Sequence, residues 1–266
     1  MPSLSLGADD YKNALTAAGI GRIALFHHEA TGSTNDDARN LVAADGFDPA
    51  TSLALVIAER QTQGRGRGSN VWFSPEGSIS FTLSVPGVDA SRLGVLPLGI
   101  GVCVAVTLRA EGAEAFLKWP NDVLIGGLKV CGILCESALL SGAARVFLGI
   151  GVNVAAAGLS PEVASRATSL ETCGVSVHRP ALVAQIVARV LKLIKGSATN
   201  QEIVADFKSF AAPWWGEAAT IVEGNQERRV TLLDVNPHGQ LVVRDEAGVV
   251  RCLVSGEVRR IRAARA

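Results

Sequence analysis

Residues 116–137 read Phe-Leu-Lys-Trp-Pro-Asn-Asp-Val-Leu-Ile-Gly-Gly-Leu-Lys-Val-Cys-Gly-Ile-Leu-Cys-Glu-Ser. Two apolar runs suited to β-strands, 116–125 and 128–137, flank the Gly126-Gly127 pair in this stretch. Paired glycines between two such runs favour the backbone angles of a two-residue hairpin turn. The stretch therefore predicts two neighbouring antiparallel strands joined by a tight turn.

The first arm of this hairpin is interrupted by residues that a central strand does not favour. Pro120 has no backbone N–H for the ladder, and Asn121 and Asp122 are depleted in strands. Such a break is typical of a functional site, where Asp122 could hold Mg²⁺ or act on an amine. A plain turn is the alternative, because Pro, Asn and Asp are common turn residues. Lys129 either offers a point charge to a phosphate or carboxylate or is a solvated strand-end lysine.

On both sides of the hairpin, the apolar pattern alternates between strands and helices. Strands are predicted at 22–29, 52–59, 78–85 and 145–154. Helices are predicted at 9–19, from 31–37 onward, and at 96–111, 180–194 and 201–211. This arrangement predicts an α+β fold, with a central mixed or antiparallel sheet flanked by helices.

The pattern changes after Pro213-Trp-Trp-Gly216, which predicts a domain boundary. Five short strand-like segments follow, at 219–222, 229–235, 240–245, 249–254 and 258–262, with turn residues such as Gly224-Asn225 between them. Short, closely spaced strands predict a small antiparallel β-barrel. We therefore expect one domain over residues 1–212 and a small C-terminal β-barrel over residues 213–266.

The composition is that of a globular protein with balanced charge. Of the 266 residues, 48% are hydrophobic, and 25 Lys and Arg balance 25 Asp and Glu. The hydrophobic content excludes disorder over most of the chain, and the charge balance argues against broad nucleic-acid binding. No secretory segment or membrane-length apolar run is visible, so we expect a cytoplasmic protein without membrane contact. Five scattered cysteines without a paired motif predict buried thiols rather than a metal site.

Residues 61–72, Gln-Thr-Gln-Gly-Arg-Gly-Arg-Gly-Ser-Asn-Val-Trp, combine glycines, arginines and an indole. Glycine lets the backbone approach a ligand closely. Arg65 and Arg67 offer donors that match a phosphate or carboxylate, and Trp72 can stack on a flat ring such as adenine. The segment favours a loop that closes over an anionic nucleotide. A solvated flexible loop and a nucleic-acid contact are the alternatives.

Taken together, these motifs resemble those of the biotin protein ligases, also called biotin–[acetyl-CoA-carboxylase] ligases. The matching pieces follow the family's order: Ser33-Thr-Asn35, Gln61 before Gly64-Arg-Gly-Arg67, Trp72, Lys118-Trp-Pro-Asn-Asp122, Lys129 with Gly132-Ile-Leu134, and Gly149-Ile-Gly-Val-Asn153. The Gly-Arg-Gly-Arg and Lys-Trp-Pro-Asn-Asp pieces are specific when they occur together. The resemblance implies a class II synthetase-like catalytic domain followed by the small barrel.

The resemblance also implies a two-step ligase. Biotin and ATP would first give biotinyl-5′-AMP and pyrophosphate, with Mg²⁺ at the phosphates. A lysine of a biotin carboxyl carrier domain of an acyl-CoA carboxylase would then attack the mixed anhydride, giving an amide and AMP. Because the anhydride hydrolyses readily, such a site must exclude water while it waits for the carrier.

Positions that match the family's motifs take on its roles. The residues implied for biotin are Ser33, Thr34 and Asn35 at the ureido ring, with Gln61, Arg65, Gly66, Arg67, Lys129, Gly132, Gly149 and Gly151. The residues implied for ATP are Arg67, Trp72, Asn121, Lys129 and Asn153. The residues implied in catalysis are Lys129, Arg65, Arg67 and Asp122, the last as a Mg²⁺ ligand, a base or a positioning group. A helix cap is the alternative role for residues 33–35, and a loop anchor for Trp72.

Three other functions are alternatives. A lipoate or octanoate ligase has a related catalytic fold, but the two specific motifs match the biotin branch. A biotin-sensing repressor carries an N-terminal winged helix-turn-helix domain, and residues 1–20 are too few for one, so we expect no DNA partner. A plain ATP-binding module without transfer activity is the third. The family includes monomers and dimers, so a weak or ligand-linked homodimer is left open.

Overall fold

The larger part of the protein is a seven-stranded sheet, seen in a computed structural model that describes residues 6–74, 77–140, 143–157, 161–223 and 226–259. The strands are β1 (Ala24–Thr31), β2 (Ala54–Gln61), β3 (Ile79–Pro86), β4 (Ala115–Lys118), β5 (Asp122–Ile125), β6 (Leu128–Leu140) and β7 (Ala143–Val152). Their order is β1-β2-β3-β7-β6-β5-β4. Because β1 and β2 are parallel and the other neighbours are antiparallel, the predicted mixed sheet is confirmed.

Helices accompany this sheet, as the apolar periodicity predicts. In the described residues they are α1 (Ala8–Ala17), α2 (Thr34–Ala43), α3 (Leu96–Ala110), α4 (Pro161–Ala164), α5 (Arg179–Lys195) and α6 (Asn200–Phe210). The α3 sequence is apolar on nearly all sides, so this helix is buried, and it packs against α5, α6 and β4. Gly101 permits the approach to β4, since a Cβ there would lie 3.2 Å from the side chain of Leu117.

The structure corrects one element. The first hairpin arm, predicted as a single strand over 116–125, is instead two short strands, β4 and β5, which pair with each other in an antiparallel ladder ending at Lys118 and Asp122. The Trp119–Pro120 peptide bond between them is cis. The single-strand prediction is wrong because the Pro120 break reverses the chain instead of interrupting a straight strand. This reversal makes β4 the edge of the sheet and aims Asp122 back toward Lys118.

The C-terminal part forms a second, five-stranded antiparallel sheet. Its strands are β8 (Ala218–Glu223), β9 (Gln226–Val235), β10 (Leu241–Asp245), β11 (Val250–Leu253) and β12 (Glu257–Arg259), in the order β11-β10-β9-β8-β12. The prediction of short antiparallel strands in the C-terminal part of the chain is therefore confirmed. The turn predicted at 224–225 and the end of the last predicted strand, residues 260–262, lie outside the described residues. The domain boundary after residue 212 stays a prediction.

The second sheet is joined to the first by specific contacts. The indole Nε1 of Trp119 donates to the Gly239 carbonyl (3.0 Å), and that of Trp214 donates to the Leu117 carbonyl (2.6 Å). Buried apolar residues of both sheets belong to one continuous core. The contacts fix β12 beside the Trp119 turn, where the candidate site lies. None of the helices in the described part of the chain combines the length and apolar character that crossing a membrane requires.

Candidate active site

A cavity of about 1330 Å³ opens between β6, β7, residues 64–72 and the loop before β12. We call residues 64–72 the Gly/Arg loop. Every site residue predicted from the sequence lines this cavity: Ser33, Thr34, Asn35, Gln61, Arg65, Gly66, Arg67, Trp72, Asn121, Asp122, Lys129, Gly132, Gly149, Gly151 and Asn153. The fold thus brings together residues from six separate segments of the sequence.

The start of α2 forms a polar, uncharged end of the cavity. The backbone N–H of Thr34 donates to Gln61 Oε1 (2.8 Å), and the Thr34 hydroxyl lies 3.2 Å from the same oxygen. Ser33 occupies the N-cap position, but its side chain makes no capping hydrogen bond. Capping therefore does not use up this hydroxyl, and Ser33 is one of the residues that line the cavity.

Asn35 is held from several sides. Its Nδ2 donates to Glu136 Oε2 (2.8 Å), and its Oδ1 lies 2.5 Å from the Thr82 hydroxyl. Behind it, β7 carries Gly149, where a Cβ would lie 2.4 Å from Asn35 Oδ1. The glycine is therefore required by the asparagine side chain, which takes the space above the strand.

Two further glycines form the floor beneath Trp72. A Cβ at Gly151 would lie 2.3 Å from the indole, and one at Gly132 would lie 3.0 Å from it. The resemblance places both Gly149 and Gly151 at biotin, whereas the structure places Gly151 against the indole. The Trp72 Nε1 is buried and has no hydrogen-bond partner among the described residues.

The Gly/Arg loop is hydrogen-bonded to itself. The backbone N–H of Gly66 donates to the Asn70 carbonyl (2.8 Å), and the backbone N–H of Trp72 donates to the Gly64 carbonyl (2.9 Å). A Cβ at Gly64 would lie 2.4 Å from the Trp72 carbonyl oxygen, so this close crossing needs glycine. The crossing sets the direction from which Trp72 enters the cavity.

The two arginines of the loop have different surroundings. Arg65 is bound to carboxylates: its Nη2 lies 2.7 Å from Asp36 Oδ1 and 3.0 Å from Glu136 Oε2. Arg67 instead donates to the carbonyl of Gly256 (3.3 Å), in the loop that precedes β12. Burial lowers the pKa of the Arg67 guanidinium, which stays charged at neutral pH. Arg67 is therefore the loop cation without a carboxylate partner among the described residues.

Asp122 lies between two lysines at the opposite wall. Lys129 Nζ is 2.6 Å from Asp122 Oδ1, and Lys118 Nζ is 3.0 Å from Oδ2. Burial alone would raise the pKa of Asp122, but Lys129 and Lys118 outweigh it and hold the pKa below its usual value. Asp122, Lys118 and Lys129 together carry a net positive charge, which attracts an incoming anion.

The side-chain amides of Asn121 and Asn153 donate hydrogen bonds to backbone carbonyls. Asn121 Nδ2 donates to the Ile133 carbonyl (2.7 Å), which bridges the turn to β6. Asn153 Nδ2 donates to the Thr168 carbonyl (3.0 Å) and lies 3.5 Å from the Lys129 carbonyl. A side-chain amide carries two N–H groups and one oxygen, so Asn121 keeps one N–H and its oxygen for a ligand, and Asn153 keeps its oxygen as an acceptor.

The described residues contain no group of three His, Cys, Asp or Glu side chains able to hold a metal ion. Both oxygens of Asp122 already contact ammonium groups. The residues present therefore do not fit the predicted Mg²⁺ ligand role of Asp122.

Three residues have contacts at the site that the sequence motifs do not predict: Lys118, which lines the cavity, and Thr82 and Glu136, which contact lining residues from behind. Lys118 pairs with Asp122, Thr82 contacts Asn35, and Glu136 binds both Asn35 and Arg65. Lys118 belongs to the Lys-Trp-Pro-Asn-Asp motif, which by itself indicates no separate role for this lysine. Glu136 is an acidic residue at the end of an apolar run, and that was the available signal. No local pattern marks Thr82, because its polarity fits ordinary strand alternation.

Comparison with known proteins agrees with this geometry. The model of the Biotin/lipoate A/B protein ligase family matches residues 29–153. Over 262 residues, the chain is 32% identical to the biotin–[acetyl-CoA-carboxylase] ligase of Mycobacterium tuberculosis, covering 94% of each protein. The chain belongs to the biotin protein ligase family.

Solved structures of this family share the fold. The biotin protein ligase of Aquifex aeolicus, in complex with biotin and ATP, has a TM-score of 0.70 and 25% identity, over 91% of this chain and 99% of that one. The ligase of Leishmania major in complex with biotinyl-5-AMP has a TM-score of 0.62 and 26% identity, over 86% and 98% of the two chains. The similarity extends over both sheets.

Proposed function

We propose that this protein is an ATP-dependent ligase that activates biotin as biotinyl-5′-AMP and transfers biotin to a lysine of a carrier domain. The observation that carries the proposal is one cavity with a neutral polar end and a cationic end. Ser33 and Asn35 stand at the first, and Arg67, Lys118 and Lys129 at the second. A ligand with an uncharged polar ring and a carboxylate that meets a nucleotide phosphate matches this division.

The polar end suits the ureido ring of biotin. A neutral ring with N–H and C=O groups needs hydroxyl and amide partners, which the Ser33 hydroxyl and the Asn35 amide supply. Gln61 fixes Thr34 beside them through its backbone N–H. Ser33 and Asn35 are buried, so a ligand that lacks matching polar groups would leave polar atoms of these side chains without a partner. This cost favours the ureido ring over a plain hydrocarbon.

The cationic end suits adenylation. A carboxylate oxygen of biotin attacks the α-phosphorus of ATP, the bond to the β-phosphate oxygen breaks, and pyrophosphate leaves. Negative charge grows on the phosphoryl oxygens and on the leaving group during this step. Preorganised cations at that place lower the barrier because they stabilise the charge as it develops. We assign Lys129 and Arg67 to this task, and place Lys118 beside them.

The adenine moiety is proposed to contact Trp72 and the Asn153 oxygen. The chain from Val163 to Ala167 lies along this side of the cavity and is hydrogen-bonded to Lys129, whose N–H donates to the Arg166 carbonyl (3.0 Å). Asn121 fixes the turn that carries Asp122. Because the described part of the chain holds no fitting metal site, we propose that Mg²⁺ arrives with the ATP phosphates.

For transfer, the amine of the carrier lysine attacks the carbonyl carbon of the mixed anhydride and AMP leaves. A carboxylate with a lowered pKa is a weak base but a good partner for an ammonium group. We therefore propose that Asp122 positions the incoming lysine. The carrier is proposed to be the biotin carboxyl carrier domain of an acyl-CoA carboxylase, as the name of the Mycobacterium tuberculosis relative suggests. The two-domain division at residue 212 and a cytoplasmic location stay predictions.

The function is tested by incubating a biotin carboxyl carrier domain with the protein, ATP and Mg²⁺, and either biotin or lipoate. Mass spectrometry of the carrier should show the mass of one biotinyl group on a single lysine. A carrier variant that lacks this lysine is the control. Modification by lipoate and not by biotin would show a lipoate ligase, and pyrophosphate release without carrier modification would contradict the transfer step.

A further inference from the structure

Glu136 lies where the polar end of the cavity meets the Gly/Arg loop. Its Oε2 accepts from Asn35 Nδ2 (2.8 Å) and from Arg65 Nη2 (3.0 Å), and its Oε1 accepts from Arg65 Nη1 (3.2 Å). Arg39 lies 3.5 Å from the same Oε2. One carboxylate thus contacts both Asn35, at the polar end of the cavity, and Arg65, in the Gly/Arg loop.

At the polar end of the cavity, the contact with Glu136 sets the orientation of the Asn35 amide. An ionised carboxylate only accepts hydrogen bonds, so it draws Nδ2 toward β6 and leaves Oδ1 toward Thr82. A flipped amide would set two oxygens against each other. The orientation of Asn35, and with it the hydrogen bonds offered to a ligand ring, therefore depends on the acceptor oxygen that Glu136 presents.

Toward the loop, Glu136 restrains Arg65. The guanidinium makes a bidentate contact with Glu136 and a further one with Asp36, which ties the start of the Gly/Arg loop to β6 and to α2. Bidentate arginine–carboxylate pairs are stronger and more specific in geometry than single contacts. The four charged groups Asp36, Arg39, Arg65 and Glu136 balance, so this cluster offers no net positive charge to a phosphate.

We propose that Glu136 is a positioning residue that couples the biotin-ring contact of Asn35 to the closed position of the Gly/Arg loop. The inference rests on the proposed function and goes beyond it by separating the loop arginines. Arg65 anchors the loop through Glu136, whereas Arg67 faces the reacting phosphate. The consequence is retention: a loop anchored at its base keeps biotinyl-AMP in the cavity until the carrier arrives.

Two variants of Glu136 separate its contacts. Glu136→Gln keeps an oxygen for Asn35 but loses the charge that holds Arg65. It should release biotinyl-AMP about fivefold faster, the difference between a charged and a neutral hydrogen bond. Glu136→Ala loses both contacts, so it should leak and also raise the KM for biotin by about tenfold. Asp36→Asn, which loosens Arg65 without touching Asn35, should leak with an unchanged KM for biotin.

The measurement is escape of radiolabelled biotinyl-AMP from the full-length protein, together with the KM for biotin and the melting temperature. Glu114→Gln is the matched control, because Glu114 is exposed and is not one of the residues that line the cavity. In an Arg65→Ala background, Glu136→Gln should add no further leakage. A merely structural role would lower the melting temperature and leave leakage at the wild-type rate.

Provided that the unmodified protein forms biotinyl-AMP, two results would overturn this inference and leave the proposed function intact. The first is leakage of biotinyl-AMP at the wild-type rate in Glu136→Gln. The second is additive leakage when Glu136→Gln is combined with Arg65→Ala. If the unmodified protein forms no biotinyl-AMP from biotin and ATP, the proposed function fails and the inference fails with it. If Glu136→Ala does not fold, Glu136→Gln and Asp36→Asn still decide the question.

Discussion

The two glycines of β7 give the sharpest test, because they lie two residues apart on one face of one strand and touch different side chains. A Cβ at Gly149 would lie 2.4 Å from Asn35 Oδ1, and a Cβ at Gly151 would lie 2.3 Å from the Trp72 indole. We therefore expect Gly149→Ala to impair biotin binding and Gly151→Ala to impair ATP binding.

The magnitude follows from the distances. Ordinary van der Waals contact begins near 3.4 Å, so each side chain must move by about 1 Å. For Asn35, a shift of that size breaks a hydrogen bond to Thr82 or Glu136, at a cost of about 1 to 1.5 kcal/mol. The KM for biotin should rise about tenfold, since about 1.4 kcal/mol is a factor of ten. Displacing the indole should raise the KM for ATP by a similar factor, with a stability loss of about 1 to 3 kcal/mol for either variant.

Pyrophosphate release provides the assay, with biotin varied at saturating ATP and ATP varied at saturating biotin. Gly21→Ala is the control, because a Cβ at Gly21 would meet no atom of the described residues within 4 Å. Changes of the two KM values in the same ratio in both variants would contradict the separate contacts of Gly149 and Gly151. A Gly149→Ala variant that changes only the KM for ATP would contradict them as well.

Four further predictions concern three charged residues. Lys129→Ala should slow pyrophosphate release about a hundredfold or more, whereas Lys12→Ala on the exposed face of α1 should not; near-normal release would contradict the role of Lys129. Arg67→Ala should speed escape of biotinyl-AMP by removing the contact with Gly256, and an unchanged escape rate would argue against it. Asp122→Asn should impair transfer from preformed biotinyl-AMP without changing the Mg²⁺ requirement, and intact transfer would count against a positioning role. The lysines hold the pKa of Asp122 below its usual value, so its ion pairs stabilise the fold above the unfolded carboxyl pKa of about 3.9 and are lost as pH falls through the lower folded value. Thermal unfolding of Asp122→Asn should therefore show lower stability near neutral pH and a flatter acid limb than the wild type.

Local pattern was enough for most elements of the fold. The continuous apolar run before the Gly/Arg loop is β2, and the helical spacing after Pro180 is α5. Both follow from residue periodicity, which acts over a few neighbours. The 116–125 prediction failed because a break in a strand does not state whether the chain continues or reverses. That choice depended on pairing between β4 and β5 and on packing against α3.

The sequence by itself determined the order of elements and the family, because the motifs consist of residues close together along the chain. Only the tertiary structure decided how those motifs divide the work. Asn35 meets Glu136 across 101 residues, and Arg67 meets Gly256 across 189. Packing of α2 and of the two loops in the folded chain makes these pairs neighbours, and no local sequence pattern predicts it. For the same reason Arg65 and Arg67, equivalent in sequence, differ in the fold: one is held by carboxylates, and the other is left to face the cavity.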